Sequence, residues 1–395
     1  WTIAYPILIS LIMEQLIGMT DTAFLGRVGE IELGASAIAG VYYLAIFMMA
    51  FGFSIGAQIL IARRNGEGNY KEIGPIFYQG VYFLLVVAAI LFTLSVVFSP
   101  HILKNIISSP HIYNAAESYI HWRVYGFFFS FVGVMFRAFF VGTTQTKTLT
   151  LNSIVMVLSN VVFNYILIFG RFGAPEMGIR GAAIGTFAAR ILELGIVLFY
   201  VWKKDTKVKL FDEKFRDGII GKGSGTVWKT FFKVCIPILT SGLLWAVSLP
   251  MQTALLGHLS ADAIAANSVS STFFQYLKVI VIAIAGASAV VIGKDIGSND
   301  EEKVRCNGRT LSVLYLAIGL LLGTVLFLLR SPLLSMYRLT PQATLYADHF
   351  MIIMSVIMVG MSYQMPVGVG IIQGGGDTKF SMYLNLISVW CIVMP

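Results

Sequence analysis

Long apolar segments recur from one end of this chain to the other. Each can cross the hydrocarbon core of a bilayer as a helix, which takes roughly 20 residues. None shows the alternation of a barrel strand, and a segment in lipid must satisfy its own backbone hydrogen bonds, so helices are expected. The spans lie near 3–26, 37–62, 75–99, 118–142, 149–170, 179–202, 231–256, 265–293, 310–330, 345–373 and 380–395. The sequence therefore predicts an all-α, polytopic membrane protein with about eleven helices.

The composition agrees with a membrane location. Charged residues make up 12% of the 395 residues, about half of the roughly 25% usual in soluble domains. The three cysteines are far apart and the five histidines are scattered, which indicates neither a disulfide framework nor a zinc site. The net charge of +8 is explained by basic loops, so no nucleic-acid partner is expected. A membrane enzyme is disfavoured, because no convergent set of catalytic side chains lies in the spans.

The ends and the loops predict how the chain lies in the membrane. It begins at Trp1 and ends at Pro395, each inside an apolar run, and we expect a fragment cut within its first and last membrane helices. The start lacks the basic region and cleavage site of a signal peptide. Lys and Arg collect after the even-numbered spans, which predicts a cytoplasmic N-terminus. We expect a multi-pass monomer in the plasma (inner) membrane, surrounded by lipid.

An internal repeat divides the chain. The pattern PILxS at Pro6 recurs at Pro237, and the pattern TAxLG at Thr22 recurs at Thr253, both 231 residues later. Repeats of this kind in transporters place the substrate between two halves that rock against each other. The predicted domains are an N-lobe (1–202, helices 1–6), a basic cytoplasmic crossover loop (203–230) and an incomplete C-lobe (231–395, helices 7–11).

The first span carries two carboxylates, Glu14 and Asp21. Their spacing is close to two helical turns, so both lie on one face, roughly 10 Å apart along the axis. One ionised carboxylate in hydrocarbon costs about 2.5–3.5 kcal/mol or more. Asp21 could merely lie at the interface next to the polar loop 27–32, and Glu14 could pair with Arg137 or Arg190. The functional interpretation is that one or both bind a proton or a metal cation, as coupling carboxylates do.

Neutral oxygen ligands follow in the fifth and sixth spans. Asn160 and Asn164 are spaced i, i+4 and face the same way. Thr186 adds a hydroxyl in a helix of small residues suited to close packing. One carboxylate, two amide oxygens and a hydroxyl suit a hard monovalent cation. The alternative is that the two asparagines only hold helices together.

Further charged residues lie in the fourth and sixth spans. Arg190 and Glu193 are spaced i, i+3 and could pair with each other. Alternatively, Glu193 faces a cavity together with Glu14 and binds cationic substrate. Arg137 lies near the cytoplasmic end of its span and is expected to anchor at the headgroups. Glu14 and Glu193 are therefore candidate carboxylates for a proton or for substrate.

Three motifs resemble the multidrug and toxic compound extrusion (MATE) transporters. They are the first helix ending at Gly26 with Thr20-Asp21-Thr22, the pair Asn160-x3-Asn164 followed by the stretch 178–186, and the loop that begins at Gln373. The resemblance covers the whole chain and implies two pseudo-symmetric six-helix bundles. From the resemblance we expect the end of the eleventh helix and all of the twelfth to lie beyond the given sequence. It also implies cation-coupled antiport, with Na+ or H+ and no cofactor, of amphipathic and often cationic drug-like compounds or metabolites.

The resemblance implies a cation site in the N-lobe. Some family members also have acidic residues in helices 7 and 10 of the C-lobe. Here Trp245 and Gln252 take the repeat positions of the two acids, and residues 350–373 contain no Asp or Glu. The resemblance is thus to N-lobe-coupled (DinF-like) members rather than to NorM-like ones. By motif, the implied cation ligands are Asp21, Asn160, Asn164 and Thr186.

The expected mechanism is alternating access. Cation binding at Asp21 reorganises the N-lobe by bending the first helix at Gly18, and lowers the affinity for substrate on the outer side. The alternative function is a flippase of a lipid-linked saccharide in the same superfamily, which a cluster of arginines at the lobe interface would favour.

Overall fold

The structure, a computed structural model, describes residues 2–106, 109–204, 208–210, 224–257, 261–335 and 340–393. The described residues form helices joined by short turns. The all-helical membrane fold predicted from the apolar segments is therefore confirmed. Most of the predicted crossover loop (203–230), namely residues 205–207 and 211–223, lies outside the described residues.

The first half of the chain forms seven described helices. Spans one, two, three, five and six each match one helix, whereas span four is divided by a 50° bend between two helices. A 3-10 turn, Tyr70–Glu72, precedes the third helix. The helices are α1 (Ala4–Val28), α2 (Glu30–Gly66), α3 (Ile73–Ile106), α4 (Pro110–Arg123), α5 (Gly126–Gly142), α6 (Thr146–Phe169) and α7 (Ile179–Lys204).

The second half follows the remaining predicted spans. Its described helices are α8 (Ser224–Gly257), α9 (Ala261–Gly297), α10 (Glu301–Leu334), α11 (Pro341–Pro366) and α12 (Thr378–Leu386). Beyond Pro366 the chain continues as a π-helical segment, Val367–Gln373, at a residue that lacks a backbone donor. By length and apolar composition, seven of the described helices can cross a membrane, or eight if the bent α4–α5 pair is one span.

The chain divides into two compact units. The N-unit comprises Ile9–Cys235, and the C-unit comprises Trp1–Leu8 with Ile236–Pro395. In the C-unit, Gly319 and Gly323 of α10 lie so close to α11 that an added Cβ would overlap Ser362 and the carbonyl of Ser355. Small residues permit this approach of helix backbones, which is the usual way that helices pack in lipid.

The core of the N-unit is aromatic. Phe53 of α2 stacks on Phe83 of α3 with ring centroids 4.4 Å apart, and Phe77 lies 4.8 Å from Phe136 of α5. Aromatic pairs at these distances add stabilisation beyond their buried area. The N-unit therefore has a firmly packed set of helices, α2, α3 and α5, beside the helices that carry the polar residues.

The two faces of helix α6 differ in polarity, and this difference explains why its polar side chains point inward. Asn160 and Asn164 are fully buried, at 0% exposure. Large apolar side chains on its other side are exposed, which is favourable in lipid but would not be in water. They are Leu151, Leu158, Val162 and Tyr165. The apolar face thus sets the rotation of α6 and turns both carboxamides towards neighbouring helices.

Candidate functional site

Helices α1, α6 and α7 bring the four predicted cation ligands together. Asn164 donates from Nδ2 to Asp21 Oδ1 at 2.5 Å and to Asn160 Oδ1 at 3.1 Å. Asn160 in turn donates to Thr186 Oγ1 at 3.0 Å. Asp21 is only 7% exposed, so its carboxylate is enclosed by neighbouring helices. We call these four residues the Asp21 cluster.

The α6–α7 connection sets the register of the cluster. Gly170 ends α6 in the left-handed conformation, with φ at 63°, which glycine adopts without strain. The chain then returns so that Met177 N–H donates to the Leu167 carbonyl at 3.0 Å. An added Cβ at Gly185 would overlap Asn164 Oδ1. The absence of a side chain at Gly185 is therefore what lets α7 bring Thr186 against the asparagines.

Arg123 joins the cluster, and sequence reasoning missed it. Its Nη1 lies 3.6 Å from Asp21 Oδ2 and donates to Thr186 Oγ1 at 3.2 Å. Asp21 is thus contacted by an amide on one oxygen and by a guanidinium on the other. A charged residue inside a predicted membrane span raises the same question as Glu14 and Asp21, and that was the clue available in the sequence.

The position of Arg123 follows from the bend between α4 and α5. It lies in the last turn of α4, where the carbonyl end of a helix favours a cation. Tyr119, one turn earlier, accepts a hydrogen bond from Nη1 at 2.7 Å, and the guanidinium lies 4.6 Å from the centroid of the Tyr43 ring. A hydroxyl and an aromatic face therefore hold the cationic side chain beside Asp21.

A second polar cluster lines a cavity in the N-unit. Glu14 pairs with Arg137 at 3.3 Å, and Glu193 pairs with Arg190 at 2.9 Å. Asn152 donates to the other oxygen of Glu193 at 2.9 Å. All five side chains border a cavity of about 20 Å³, which is enough for a water molecule. The predicted Arg190–Glu193 pair is confirmed, and Glu193 and Glu14 also face one cavity.

The headgroup role predicted for Arg137 is wrong. Its side chain is largely buried, and it is the partner of Glu14, one of the two arginines considered for that carboxylate. The guanidinium also lies 5.2 Å from the centroid of the Phe51 ring. Pairing with Glu14 offsets part of the cost of placing Arg137 in an apolar interior.

The C-unit has a different set of ionisable groups. The side chains of Trp245 and Gln252, which replace the two acids in the repeat, lie outside the described residues. Asp348, just before the acid-free stretch 350–373, pairs with Arg330 at 3.0 Å. Lys278 of α9 is buried, at 4% exposure, and was not singled out from the sequence. Among the described residues, the acid clusters inside the helices are thus in the N-unit.

Substitution of Gly185 tests the packing of the Asp21 cluster. We expect Gly185→Ala to displace Asn164 and to lower the free energy of unfolding by about 1–3 kcal/mol, as overpacking does. Thermal stability in detergent should fall accordingly. Gly195→Ala is the matched control on the same helix, since nothing lies within 4 Å of an added Cβ there. Equal melting temperatures for the two variants would contradict the assigned contact.

Known proteins resemble this chain over nearly its whole length. The multidrug resistance protein MdtK of Photorhabdus laumondii is 24% identical over 397 residues, which cover 99% of this chain and 84% of that protein. The probable multidrug resistance protein NorM of Shewanella oneidensis is 27% identical over 408 residues, covering 99% of this chain and 84% of that protein.

Two solved structures share the fold. The eukaryotic MATE transporter AtDTX14 superposes with a TM-score of 0.87 at 19% identity, covering 100% of this chain and 86% of that one. A MOP superfamily transporter from Pyrococcus furiosus, described as having a binding pocket of reverse polarity, superposes with a TM-score of 0.86 at 17% identity, covering 98% of this chain and 84% of that one. The family model described as MatE matches residues 6–166 and 237–395, and the chain therefore belongs to the MatE family of membrane transporters.

Proposed function

We propose that this protein is a cation-coupled antiporter that exports amphipathic, often cationic, drug-like compounds or metabolites. The observation that carries the proposal is the buried Asp21 cluster, in which a carboxylate, two carboxamides and a hydroxyl converge from three helices. An intramembrane carboxylate with oxygen ligands beside it is the usual coupling device of a transporter driven by an ion gradient. Relatives named as multidrug resistance proteins support the substrate class.

The coupling ion is proposed to be Na+ or H+, bound in the N-lobe. The Asp21 cluster has the oxygen-rich composition that suits Na+, and the same carboxylate can accept a proton. Residues 350–373 contain no Asp or Glu, which supports coupling in the N-lobe alone, as in DinF-like members. Glu14 and Glu193 remain proposed contacts for a proton or for cationic substrate, since both border the same cavity.

The proposed mechanism is alternating access of lobes 1–202 and 231–395, joined by the crossover loop 203–230. Helix α1 runs without interruption from Ala4 to Val28, and Gly18 lies between its two acids. Glycine weakens a helix relative to alanine, so Gly18 is the proposed bending point. Cation binding at Asp21 then changes the shape of α1 and lowers the affinity for substrate on the outer side. We also propose a monomer in the inner membrane with a cytoplasmic N-terminus.

One observation supports a flippase of a lipid-linked saccharide as the second candidate. Three arginine side chains lie largely buried in the N-unit, and a cationic interior would suit the phosphates of such a lipid. However, each arginine has a carboxylate partner, so the interior is balanced in charge, which favours the antiporter. The three pairs are Arg123–Asp21, Arg137–Glu14 and Arg190–Glu193.

Dye efflux from proteoliposomes under separate sodium and proton gradients tests the proposal. We expect an inward gradient of one of the two ions to drive a fluorescent cationic dye out of the compartment that represents the cytoplasm. Protein-free liposomes report passive leakage, and a labelled polyprenyl-phosphate lipid reports flippase activity. Lipid movement without gradient-driven dye efflux would favour the flippase. The absence of both activities would contradict both functions.

A further inference from the structure

Both oxygens of Asp21 already face a partner in the protein, one a hydrogen-bond donor and the other an ion-pair partner. Asn164 Nδ2 contacts Oδ1, and Arg123 Nη1 lies 3.6 Å from Oδ2. The same Asn164 nitrogen also donates to Asn160 Oδ1 at 3.1 Å. The Asn164 nitrogen therefore lies between Asp21 Oδ1 and Asn160 Oδ1, the two oxygens that would bind the cation. A cation can use this site only if these partners give way.

We propose that Arg123 is an intramolecular competitor of the coupling cation, so that its ion pair with Asp21 and cation binding at Asp21 exclude each other. This inference rests on the function proposed above and adds a specificity-determining residue to that site. It also assigns a movement to Asn164, whose carboxamide must turn to present its oxygen in place of its nitrogen.

The charges of Asp21, Arg123 and the cation explain why the ion pair and cation binding exclude each other. Asp21 and Arg123 together are neutral, and adding a cation to the intact pair would place two positive charges beside one carboxylate. Charges at contact distance interact strongly where water is scarce, and an uncompensated charge in such a place is costly. Arg123 must therefore withdraw when the cation binds. The hydroxyl of Tyr119, 2.7 Å from Nη1, and the Tyr43 ring 4.6 Å away are contacts that the guanidinium can keep when its pair with Asp21 breaks.

The hydroxyl of Thr186 points to the same exchange. It accepts from Arg123 at 3.2 Å and from Asn160 at 3.0 Å, and it donates to the Ala182 carbonyl at 3.0 Å. A hydroxyl has two acceptor lone pairs and one proton, so both lone pairs are in use. Withdrawal of Arg123 would free one lone pair of Thr186 for the cation. Breaking the Arg123–Asp21 ion pair would thus make Thr186 available as a second ligand.

Asn164 contributes the remaining ligand. Its Oδ1 is buried and has no hydrogen-bond partner, although buried acceptors are nearly always satisfied. If the carboxamide turned without a cation, Oδ1 would face the oxygens of Asp21 and Asn160 and be repelled by both. With a cation between them, the three oxygens would all be ligands. The unsatisfied acceptor is thus explained as a ligand that faces away while Arg123 occupies Asp21.

Ion binding to Arg123→Gln tests the inference. With purified protein in lipid nanodiscs, radiolabelled Na+ binding gives the sodium affinity, and the pH dependence of dye binding gives the proton affinity. We expect Arg123→Gln to bind the coupling ion at least about tenfold more tightly than the wild type, because its competitor is gone. Gradient-driven efflux should be slower, because the ion is released less readily. Weaker or unchanged ion affinity would overturn the inference.

Two further variants keep the test decisive. Arg123→Lys retains the charge but loses the planar fork, and its ion affinity should lie between the wild type and Arg123→Gln. If Arg123→Gln does not fold, Arg123→Lys carries the test, and an affinity no higher than that of the wild type overturns the inference. Arg180→Gln removes an exposed arginine from the helix that carries Thr186 and should leave the affinity unchanged.

Failure of the inference can be distinguished from failure of the proposed function. If ion binding is absent from the wild type, or persists unchanged in Asp21→Asn, the proposed coupling site is wrong. If binding depends on Asp21 but does not tighten in Arg123→Gln, the coupling site stands and only the competition is wrong.

Discussion

Asp21→Asn is expected to reduce gradient-driven efflux to the passive rate of protein-free liposomes. The substitution keeps the size of the side chain and an oxygen for the hydrogen bond from Asn164. It removes the negative charge that would attract the coupling ion and that faces Arg123. Dye efflux from proteoliposomes with an imposed sodium or proton gradient measures the effect. Substrate binding should persist, because the dye contacts are proposed to involve other residues.

Asp348→Asn is the matched control for this prediction. It makes the same chemical change at an Asp–Arg pair, in which Arg330 lies 3.0 Å from the carboxylate, but in a helix of the C-unit. We expect near wild-type efflux from this variant. Efflux at the wild-type rate by Asp21→Asn, or equal loss in both variants, would contradict a coupling role specific to Asp21.

Removal of Glu193 is expected to have the second largest effect. Glu193→Leu should lower the free energy of unfolding by about 3–5 kcal/mol, because it leaves Arg190 buried and unpaired. It also leaves Asn152 without the acceptor that it contacts at 2.9 Å. The double variant Arg190→Met, Glu193→Leu should recover most of the stability, since neither charge remains. Denaturation in detergent, followed by near-UV circular dichroism, measures both effects.

The double variant also separates structure from substrate binding. If Glu193 contacts cationic substrate, the double variant will be stable but will bind a cationic dye more weakly than the wild type. A neutral amphipathic dye of similar size should bind equally well to both proteins. Full affinity for the cationic dye in the stable double variant would show that Glu193 serves only to neutralise Arg190.

Much of the fold could be predicted because lipid imposes a simple rule on sequence. The first span, placed at 3–26, matches α1 from Ala4 to Val28, since a membrane helix needs an unbroken apolar run. The bend after Arg123 was missed because no proline marks it and hydropathy does not report the direction of a helix. The π-helical segment after Pro366 was missed as well, because hydropathy does not distinguish helix types.

Residue types and their spacing along one helix predicted part of the site, and contacts between separate helices could not be predicted in this way. Asn160 and Asn164 had to share a face of α6, and the resemblance to MATE transporters related them to Asp21 and Thr186. Arg123 could not be added, because its contact with Asp21 joins two separate helices, which spacing along one helix does not predict. Spacing along one helix predicted the Arg190–Glu193 pair. Only the packing of separate helices decides that Glu14 pairs with Arg137.

Cation flux driven by a substrate gradient tests the central claim most directly. Obligate exchange is reciprocal, so substrate moving down its own gradient must drive the coupling ion the other way. Proteoliposomes loaded with a cationic dye and diluted into dye-free buffer, with no ion gradient, should take up labelled Na+ or protons as the dye leaves. Asp21→Asn proteoliposomes should show no such uptake. Dye exit from wild-type proteoliposomes without movement of either ion would contradict the account.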